Sequence, residues 1–478
     1  MLRLLKLGEH TNAMARIYPF RALRYDTSRV RMEDVVTQPY DKITPEMQQR
    51  YYERSPYSLI RIILGKHEPD DTEPQDFLPA GEQAHNVYTR AAEYFKAWRS
   101  ERILAEEAEP ALYGYSQTYT VPHTAEVRER RGFIALGHLY DYADKVVFRH
   151  EQTFPKHKSD RLALFKATRA YCEQIYMLYS DPGFSAEKLI FGAGKDGKEA
   201  RPADLSITDE YDVVHRVWKL TDPVLINLIT TAMADKKLII ADGHHLYETS
   251  VAYAKERSAQ LKLPLGEPAD PDEKVGGNQL PVPPFPEAAM MMTFVNMDAP
   301  GITILPTHRI VFGLESFSSP DFITKASEFY DVTELADDTP GQDLIAQLDK
   351  APGDSFIAAT GDGNYLLTPR PDAIAPLMEG LPAKQRQLGV AQLHTVVLDH
   401  ILGLDPDTIT RLGKVRYIRD AQESVAMVDS GDADVAFLIK PITLDQLRDV
   451  SLSGDVMPQK STDFYPKLLS GLAIYALD

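Results

Sequence analysis

The stretch Ala241-Asp-Gly-His-His245 places two imidazoles and a carboxylate where the hydrophobic pattern of the chain changes its period. Residues 237–241 form a short apolar run with β-branched side chains, which is typical of a buried strand. Tyr247 and Val251 then follow at helical spacing, so the sequence predicts a helix that continues to about Arg257. This junction of a strand with a helix indicates a chain of mixed α and β structure.

The predicted junction is suited to an anion. Asp242 is expected to be the N-cap of the helix, and Gly243 would let a ligand approach the backbone closely. A helix start presents N–H groups and partial positive charge, which attract phosphate. With the imidazoles of His244 and His245, the pattern points to phosphoryl-transfer or metal chemistry. The structural alternative is that Asp242 only caps the helix and that the two histidines are solvated.

Known nucleotide and zinc fingerprints do not fit the sequence. No G-x-G-x-x-G opens a helix and no G-x-x-x-x-G-K-[ST] is present, so neither a Rossmann nor a P-loop nucleotide site is indicated. His244, His245 and Glu248 do not form H-E-x-x-H. Thr249 also interrupts the inverted form, H-x-x-E-H, so a zincin is not expected.

Bulk properties restrict the class of protein. A chain of 478 residues with 44% hydrophobic content can bury a large core, and two or three domains are usual at this length. The formal net charge of −18 argues against a broad nucleic-acid surface, although it allows a locally basic pocket. Cys172 is the single cysteine, and no apolar stretch is long enough to span a bilayer. We therefore expect a soluble cytoplasmic protein with no membrane partner.

Periodicity predicts alternating helices and strands. Helices are expected at residues 87–100, 161–180, 321–330, 391–402 and 444–450. Strands are expected at residues 112–121, 131–137, 290–297, 302–306 and 435–439, with a hairpin at 356–368. Two segments rich in Pro, Gly and acid, 65–86 and 266–287, are expected to be surface loops. Beyond about residue 314 the hydrophobic pattern changes to a shorter, regular alternation. This change predicts an N-terminal α/β domain at 1–313 and a C-terminal one at 314–478.

Other short segments combine charged, imidazole and hydroxyl groups. Their candidate residues are Asp41, Arg149, Glu151, His308, Arg309, Lys460, Ser461 and Thr462. Arg309 and Lys460 are the best phosphate or carboxylate clamps by type, because one is a planar fork and the other a point charge. Each also has a structural interpretation, such as a turn for Asp41 or a salt bridge for Glu151. Residue spacing leaves open whether these segments meet in the fold.

Taken in order, these segments resemble the prokaryotic family called domain of unknown function 1015. The motifs are Tyr18-Pro-Phe-Arg-Ala-Leu-Arg-Tyr25, Gln38-Pro-Tyr-Asp-Lys42, Ser55-Pro-Tyr57, Arg131-Gly-Phe133, His150-Glu-Gln-Thr153, Ala241-Asp-Gly-His-His-Leu-Tyr-Glu-Thr249, Leu305-Pro-Thr-His-Arg309 and Met457-Pro-Gln-Lys-Ser-Thr-Asp-Phe-Tyr-Pro-Lys467. The resemblance covers nearly the whole chain, but the family name itself implies little about function.

The Asp-Gly-His-His motif is also similar to that of the free serine kinases built on the ParB/sulfiredoxin-type fold. This resemblance implies a ParB/sulfiredoxin-like core with large insertions and a smaller C-terminal α/β region. It implies that Asp242 is catalytically important, that the helix start after it receives nucleotide phosphates, and that an earlier acid acts on the substrate hydroxyl. Glu151 and Asp41 are the candidates for that acid, with a slight preference for Glu151. Both families usually place arginine after the two histidines, where this chain has Leu246.

The leading hypothesis is a phosphotransferase that moves a phosphoryl group from a nucleotide to the hydroxyl of a small amino or hydroxy acid, most plausibly L-serine. ATP or ADP with Mg²⁺ would be the cofactor, with Asp242 as the metal ligand or the group that orients the hydroxyl. Catalytic roles would fall to Asp242, His244, His245 and Glu151 or Asp41. Cofactor-binding roles would fall to Gly243, Arg149, His308, Arg309, Lys460, Ser461 and Thr462.

Two alternatives belong to other classes of protein. The first is a nucleotide-sensing or protein-binding module of ParB-like type, which the loss of arginine at Leu246 favours. The second is a metal-dependent hydrolase, which the clustered His, Asp and Glu residues favour.

Overall fold

The computed structural model describes residues 14–79, 81–151, 155–192, 201–266, 279–336 and 339–478. By compactness the chain divides into two units. The first unit contains the described residues up to 148, those from 155 to 302, and residues 466–478. The second contains residues 149–151 and the described residues from 303 to 465. The boundary expected at residue 313 concerns domains that fold independently, which this division by compactness does not test, so it stays a prediction.

The first unit is built around a nine-stranded mixed sheet. The strands of this unit before residue 303 are β1 (Ile17–Tyr18), β2 (Leu23–Tyr25), β3 (Leu104–Glu106), β4 (Leu112–Thr120), β5 (Val127–His138), β6 (Val147–Phe148), β7 (Ala170–Tyr171), β8 (Ile175–Tyr179), β9 (Leu205–Thr208), β10 (Val214–Leu220), β11 (Leu238–Asp242) and β12 (Ala289–Asn296). The sheet order is β6-β11-β8-β12-β5-β4-β10-β9, with β1 also paired to β5.

The centre of this sheet is apolar on both faces. Every residue of β8 and β12 is buried, and these two strands pair in parallel. Strands buried on both faces have continuous apolar sequences rather than alternating ones. The strand β11 lies against β8 in the antiparallel sense, so its last residue, Asp242, comes opposite Tyr176.

Helices cover the sheet of the first unit. Those described are α1 (Met32–Val35), α2 (Pro45–Arg54), α3 (Ile60–Ile63), α4 (Val87–Ser100), α5 (Pro155–Thr168), α6 (Ser185–Phe191), α7 (Pro223–Met233) and α8 (His244–Leu261). The helix α8 packs against β8, β12 and α5. One turn of 3₁₀ helix, Tyr40–Lys42, precedes α2.

The second unit contains a six-stranded sheet with its own core. Its strands are β13 (Thr303–Leu305), β14 (His308–Val311), β15 (Tyr330–Leu335), β16 (Phe356–Thr360), β17 (Gly363–Pro369), β18 (Val415–Ile418), β19 (Val435–Leu438) and β20 (Asp463–Tyr465). The sheet order is β15-β17-β16-β19-β14-β18, and β13 pairs separately with β20. A last strand, β21 (Tyr475–Ala476), pairs with β7 and belongs to the first unit.

Several helices accompany the sheet of the second unit. They are α9 (Ser319–Ala326), α10 (Gly341–Lys350), α11 (Pro371–Met378), α12 (Gly389–Gln392), which continues as a π-helical segment (Leu393–Ile401), α13 (Pro406–Leu412), α14 (Ala421–Asp429) and α15 (Leu444–Leu452). Leu344 and Leu348 of α10 meet Val425 of α14 in a buried cluster that also includes Ile310 and Ile357 of the sheet.

The mixed α/β class predicted from the sequence is confirmed. The helix expected at 87–100 has those bounds, and the strands expected at 112–121 and 131–137 pair as β4 and β5. The helix expected to reach about Arg257 ends at Leu261. Part of the loop expected at 266–287 lies outside the described residues. Among those described, no helix is both long enough and apolar enough to cross a membrane.

Two predicted helices are wrong in their second halves. The helix expected at 161–180 ends at Thr168, and the residues that follow form β7 and β8. An unbroken apolar run such as that of β8 satisfies a helical pattern as well as a buried strand, so periodicity did not separate them. The helix expected at 321–330 ends at Ala326, and Tyr330 begins β15.

A glycine substitution tests the packing of the large sheet. Gly301 has a φ of +93°, and a β-carbon there would overlap the carbonyl oxygen of Glu129 on β5. We expect Gly301→Ala to lower the free energy of unfolding by about 3 kcal/mol, because strain and overlap add. Gly81→Ala, with a φ of +96° and open space around it, is the matched control and should cost about 1 kcal/mol. Equal losses in urea denaturation would contradict the overlap.

Candidate functional site

The candidate site begins where β11 turns into α8. Gly243 has a φ of +91°, a left-handed conformation that favours glycine, and it is the N-cap of α8. The prediction that Asp242 caps the helix is wrong, because Asp242 is the last residue of the strand. Its Oδ1 instead accepts a hydrogen bond from the N–H of Gly243 at 2.9 Å. The carboxylate is therefore held beside the helix start rather than within its first turn.

Asp242 forms an ion pair with a lysine from the C-terminal segment of the same unit. The Nζ of Lys467 lies 2.8 Å from Oδ2 of Asp242. Only 10% of the Lys467 side chain is exposed, whereas 34% of the Asp242 side chain is. The cation is thus shielded and fixed, while the carboxylate still reaches solvent.

Two side chains of the large sheet hold the backbone that carries Lys467. Gln117 on β4 donates from Nε2 to the carbonyl oxygen of Lys467 at 2.8 Å. Arg130 on β5 donates to the carbonyl oxygen of Pro466 at 2.5 Å and to Oε1 of Gln117. Its guanidinium also lies 4.7 Å from the ring centre of Tyr176, the residue opposite Asp242. The sheet therefore holds the backbone from which the Lys467 side chain extends to Asp242.

A second lysine acts on the same carboxylate. Lys42, in the 3₁₀ turn, lies with its Nζ 3.8 Å from Oδ2 of its neighbour Asp41. Burial alone would raise the pKa of Asp242, but Lys467 and Lys42 outweigh it and lower the pKa well below its usual range. Asp242 is therefore ionised across the physiological pH range.

The turn that carries Asp41 and Lys42 is anchored by a buried acid. The N–H of Tyr40 donates to Oε1 of Glu173 at 2.9 Å. The guanidinium of Arg161 lies 4.1 Å from the ring centre of Tyr40 and 3.4 Å from Oε2 of Glu173. Burial raises the pKa of Glu173 to about 7, although Arg161 and the Tyr40 N–H lower it.

The two histidines and Leu246 occupy the first turn of α8. His244 is buried with its side chain beside the Asp242 charge, which it helps to stabilise. His245 is half-buried, and its carbonyl oxygen accepts a hydrogen bond from Thr249. Leu246 is 5% exposed, so the position at which the motif resemblance implies an arginine belongs to the apolar interior.

The remaining predicted residues belong to the second unit and bind its own backbone. Oε1 of Glu151 accepts a hydrogen bond from the N–H of Lys460 at 3.0 Å. The ring of His150 and the hydroxyl of Thr462 are 2.7 Å apart, and Ser461 donates to the carbonyl oxygen of Pro458. The side chain of Lys460 is exposed and that of Arg149 is half-buried.

Arg309 is fully buried, and its donors meet protein acceptors. They bind the carbonyl oxygens of Thr307, Gln459 and Lys460 and the Nε2 of His394. Burial lowers the pKa of Arg309 to about 10, and it lowers that of His308 to about 3. The Nδ1 of His308 accepts the N–H of Ile439 at 3.2 Å, so its ring is neutral. Both side chains stabilise the segments around β14.

Groups of side chains that could share a metal ion are rare in the part of the chain that the structure describes. There, three ligand atoms lie within 4.8 Å of one another only at Glu68, Asp70 and His85, which are all exposed. Asp242, His244 and His245 do not form such a group. The clustering of ligands that favoured a metal-dependent hydrolase is therefore not seen at Asp242, His244 and His245. A single carboxylate is still suited to a cation that phosphates also bind.

Sequence reasoning missed three residues of this arrangement. Lys467 belongs to the C-terminal motif 457–467, where residue type favours Lys460 as the clamp. The partner of Lys467 is 225 residues away in sequence, so residue spacing does not reveal the pair. Lys42 stood in the Gln38–Lys42 motif without a role. Glu173 fell inside the wrongly predicted helix at 161–180, which hid its place beside a strand.

The family predicted from the ordered motifs is confirmed. Residues 17–395 match the family described as "Protein of unknown function (DUF1015)", and the chain belongs to it. No curated protein matches the chain in sequence.

Solved structures show distant likeness. Free serine kinase in complex with AMP is 10% identical, covers 67% of this chain and 83% of its own, and has a TM-score of 0.32. A mutant of free serine kinase in complex with ADP is 11% identical, covers 67% and 84%, and has a TM-score of 0.32. SbnI with a C-terminal truncation, from Staphylococcus aureus, is 13% identical, covers 70% and 85%, and has a TM-score of 0.31. Two of these bear the name that the motif resemblance predicted, but at such scores they carry no further inference.

The ion pair at Asp242 can be tested by titration. We expect Lys467→Met to raise the pKa of Asp242 towards its ordinary value, because the nearest cation is removed. Lys460→Met, in the same motif but in the second unit, is the matched control and should leave it unchanged. Carbon-13 NMR of labelled aspartates would measure both. An unchanged Asp242 titration in Lys467→Met would contradict the pairing.

The pH dependence of stability tests the burial of Glu173. Its pKa rises from about 4.5 in the unfolded chain to about 7 in the folded one, so between these values the folded state keeps a proton that the unfolded state has lost. Its contribution to stability is therefore present below pH 4.5 and is lost as pH rises through 7. Relative to the native protein, Glu173→Gln should gain up to roughly 3 kcal/mol in the free energy of unfolding between pH 4 and pH 8. Parallel stability curves would contradict this.

Proposed function

We propose that this member of the DUF1015 family binds a nucleotide at the β11–α8 junction and transfers a phosphoryl group to the hydroxyl of a small amino or hydroxy acid, with L-serine as the first candidate. The observation that carries the proposal is the shielded Lys467 ammonium 2.8 Å from Asp242 at the start of a helix. A fixed cation, a helix start and an ionised carboxylate are the groups that phosphoryl transfer needs, since it depends on positioning and charge compensation.

The nucleotide phosphates would be bound by groups of the first unit. The first turn of a helix directs backbone N–H groups and partial positive charge along its axis. At α8 these belong to His244 and His245, after Gly243. Lys467 and Lys42 place two ammonium groups beside the carboxylates of Asp242 and Asp41. An anion would therefore meet two cations and the positive end of a helix there, although the chain as a whole is acidic.

Asp242 fits Mg²⁺ as a ligand. Mg²⁺ prefers carboxylate oxygens and is commonly held by one or two carboxylates together with substrate phosphates. Asp242 supplies an ionised, partly exposed carboxylate, so it would hold the ion. When bound, Mg²⁺ would neutralise charge on the phosphates. The Lys467 ammonium would then contact the nucleotide itself.

The acceptor hydroxyl needs a base, and we propose Asp41. Its carboxylate shares Lys42 with Asp242 and belongs to the same unit. Glu151, the acid that the sequence slightly preferred, accepts the N–H of Lys460 in the second unit. In the transfer, the hydroxyl oxygen would bond to phosphorus, the bridging oxygen would leave with the electron pair, and Asp41 would take the hydroxyl proton. Arg149, Lys460, Ser461 and Thr462 stay predictions as cofactor-binding residues.

A nucleotide-sensing module without turnover is the second candidate. The observation that favours it is Leu246, whose buried side chain supplies no charge where the related motifs carry arginine. Binding of nucleotide without a phosphorylated product would distinguish a sensor from a transferase. For either function we propose a cytoplasmic location, on the ground that the single cysteine, Cys172, is a buried thiol.

Binding and turnover can be tested with two lysine variants. We expect ADP to bind the native protein, and Lys467→Met to weaken this binding by about 10- to 100-fold, since a charge-assisted contact contributes roughly 1.5–3 kcal/mol. Lys255→Met, the matched control, removes an exposed lysine of α8 that pairs with Asp141, and it should change the affinity less than about twofold. Calorimetry measures the affinities, and phosphorus NMR with ATP or ADP and L-serine or small hydroxy acids measures product. The transferase is refuted if no acceptor gains phosphate, and the whole site is refuted if Lys467→Met binds ADP as tightly as the native protein.

A further inference from the structure

The turn beside Asp242 has few internal constraints of its own. Residues 38–42, here called the 38–42 loop, pair with no strand, and their hydrogen bonds to other backbone groups of the described chain are short-range, such as that from Lys42 N–H to the Pro39 carbonyl oxygen. Asp41 and Lys42 at its end are each about one-third exposed. The position of the Lys42 ammonium therefore depends on what holds the loop from outside.

Glu173 holds the middle of the loop. Its Oε1 accepts the Tyr40 N–H at 2.9 Å, two residues before Lys42. Arg161 braces both partners, because its guanidinium lies against the Tyr40 ring and 3.4 Å from Oε2 of Glu173. Arg161 is itself fixed by Asp160 at 2.7 Å and by the carbonyl oxygen of Ile63 at 2.8 Å.

The start of the loop has a separate anchor. Gln38 donates from Nε2 to Oδ2 of Asp209 at 3.2 Å, and its N–H donates to the hydroxyl of Tyr51 at 3.2 Å. This anchor lies four residues from Lys42. Loss of the Glu173 contact would therefore free the part of the loop that carries the charges while leaving its beginning in place.

The same short connection touches the helix start. Glu173 lies between β7 and β8, and Ile175 begins β8 two residues later. A β-carbon on Gly243 would lie 3.5 Å from the Cα of Ile175, an ordinary van der Waals contact. Residues 173–175 thus hold the 38–42 loop through Glu173 and lie against the β11–α8 turn through Ile175. They connect the loop that carries Lys42 with the turn that follows Asp242.

The charge on Glu173 needs a reason, because a buried carboxylate is expensive. Replacing a buried ion pair by apolar groups of similar volume is often neutral or stabilising. The groups that face Glu173 are Arg161, the Tyr40 N–H, the Asp41 carboxylate and the Cys172 thiol. The carboxylate supplies a hydrogen-bond acceptor for the Tyr40 N–H of the loop, which a methionine at this position would not supply.

We propose that Glu173 is a positioning residue, whose carboxylate holds the 38–42 loop so that Lys42 faces Asp242 and the anion bound there. The part that concerns the anion rests on the proposed function; the part that concerns Lys42 and Asp242 does not. Glu173 itself is 5% exposed and acts through Tyr40 and Lys42 rather than by contact with substrate.

Three variants, with a fourth in reserve, separate positioning from general stability. Glu173→Met keeps the volume and removes the acceptor, whereas Glu173→Gln keeps an oxygen for the Tyr40 N–H. Glu187→Gln is the matched control, because Glu187 is also a largely buried acid with a raised pKa, but it binds the hydroxyl of Tyr179 at 2.5 Å, away from the loop. Glu173→Ala is a second test of the acceptor if the Met variant fails to fold.

Three measurements apply to each variant: amide hydrogen exchange at Tyr40, the titration of the Asp242 carboxyl by carbon-13 NMR, and the Kd for ADP. In Glu173→Met we expect exchange at Tyr40 to be at least about 10-fold faster, the titration of Asp242 to move to higher pH, and the Kd to rise about 10-fold. In Glu173→Gln the exchange rate at Tyr40, the acid dissociation constant of Asp242 and the Kd for ADP should all lie within about threefold of their native values. Glu187→Gln should change none of the three.

Each outcome decides the proposal. If exchange at Tyr40 rises in Glu173→Met while the Asp242 titration stays unchanged, Glu173 holds the loop but does not position Lys42, and the proposal fails. If Glu173→Gln behaves like the Met variant, charge rather than the acceptor matters, and the proposal also fails. If the native protein binds no ADP, the proposed function fails alone, because exchange and titration still test the positioning of Lys42.

Discussion

An ionised carboxylate at the junction of a strand and a helix needs cations close by, and the first unit is arranged to provide them. Asp242 ends β11, where burial opposes its charge, and Lys467 and Lys42 more than offset that cost. Lys467 is placed by Gln117 and Arg130 on the large sheet, and Lys42 by the loop that Glu173 anchors. Residues far apart in sequence thus meet around one carboxylate.

Charged residues in the family motifs divide into two physical groups. In the second unit, Arg309, His308 and Glu151 meet acceptors or donors of the protein itself and stabilise its backbone. In the first unit, Asp242 retains exposed surface beside a shielded cation. A ligand can compete for the Asp242–Lys467 pair of the first unit far more easily than for the buried groups of the second unit. A fully buried guanidinium with satisfied donors, such as that of Arg309, gains nothing from an additional anion.

Local sequence patterns predicted the helices and strands whose ends carry recognisable cap or turn residues. The helix α4 has its Asn86 cap and the hairpin of β16 and β17 its tight turn, so both were predictable. The strand β8 was not, because an apolar run buried on both faces has no alternation. At the site, the motif revealed Asp242 and Gly243, but the pairing with Lys467 depends on tertiary contacts 225 residues apart in sequence. Glu173 was hidden for the same reason, since its role depends on the Tyr40 backbone.

The central claim is that the start of α8, with Lys467 beside Asp242, binds the phosphates of a nucleotide. A crystal structure of the full chain grown with ADP and Mg²⁺ tests it most directly. The account predicts a phosphate oxygen within about 3 Å of the Lys467 Nζ and of the backbone N–H groups of His244 or His245. ADP bound elsewhere, with the Asp242–Lys467 pair unchanged, would contradict it.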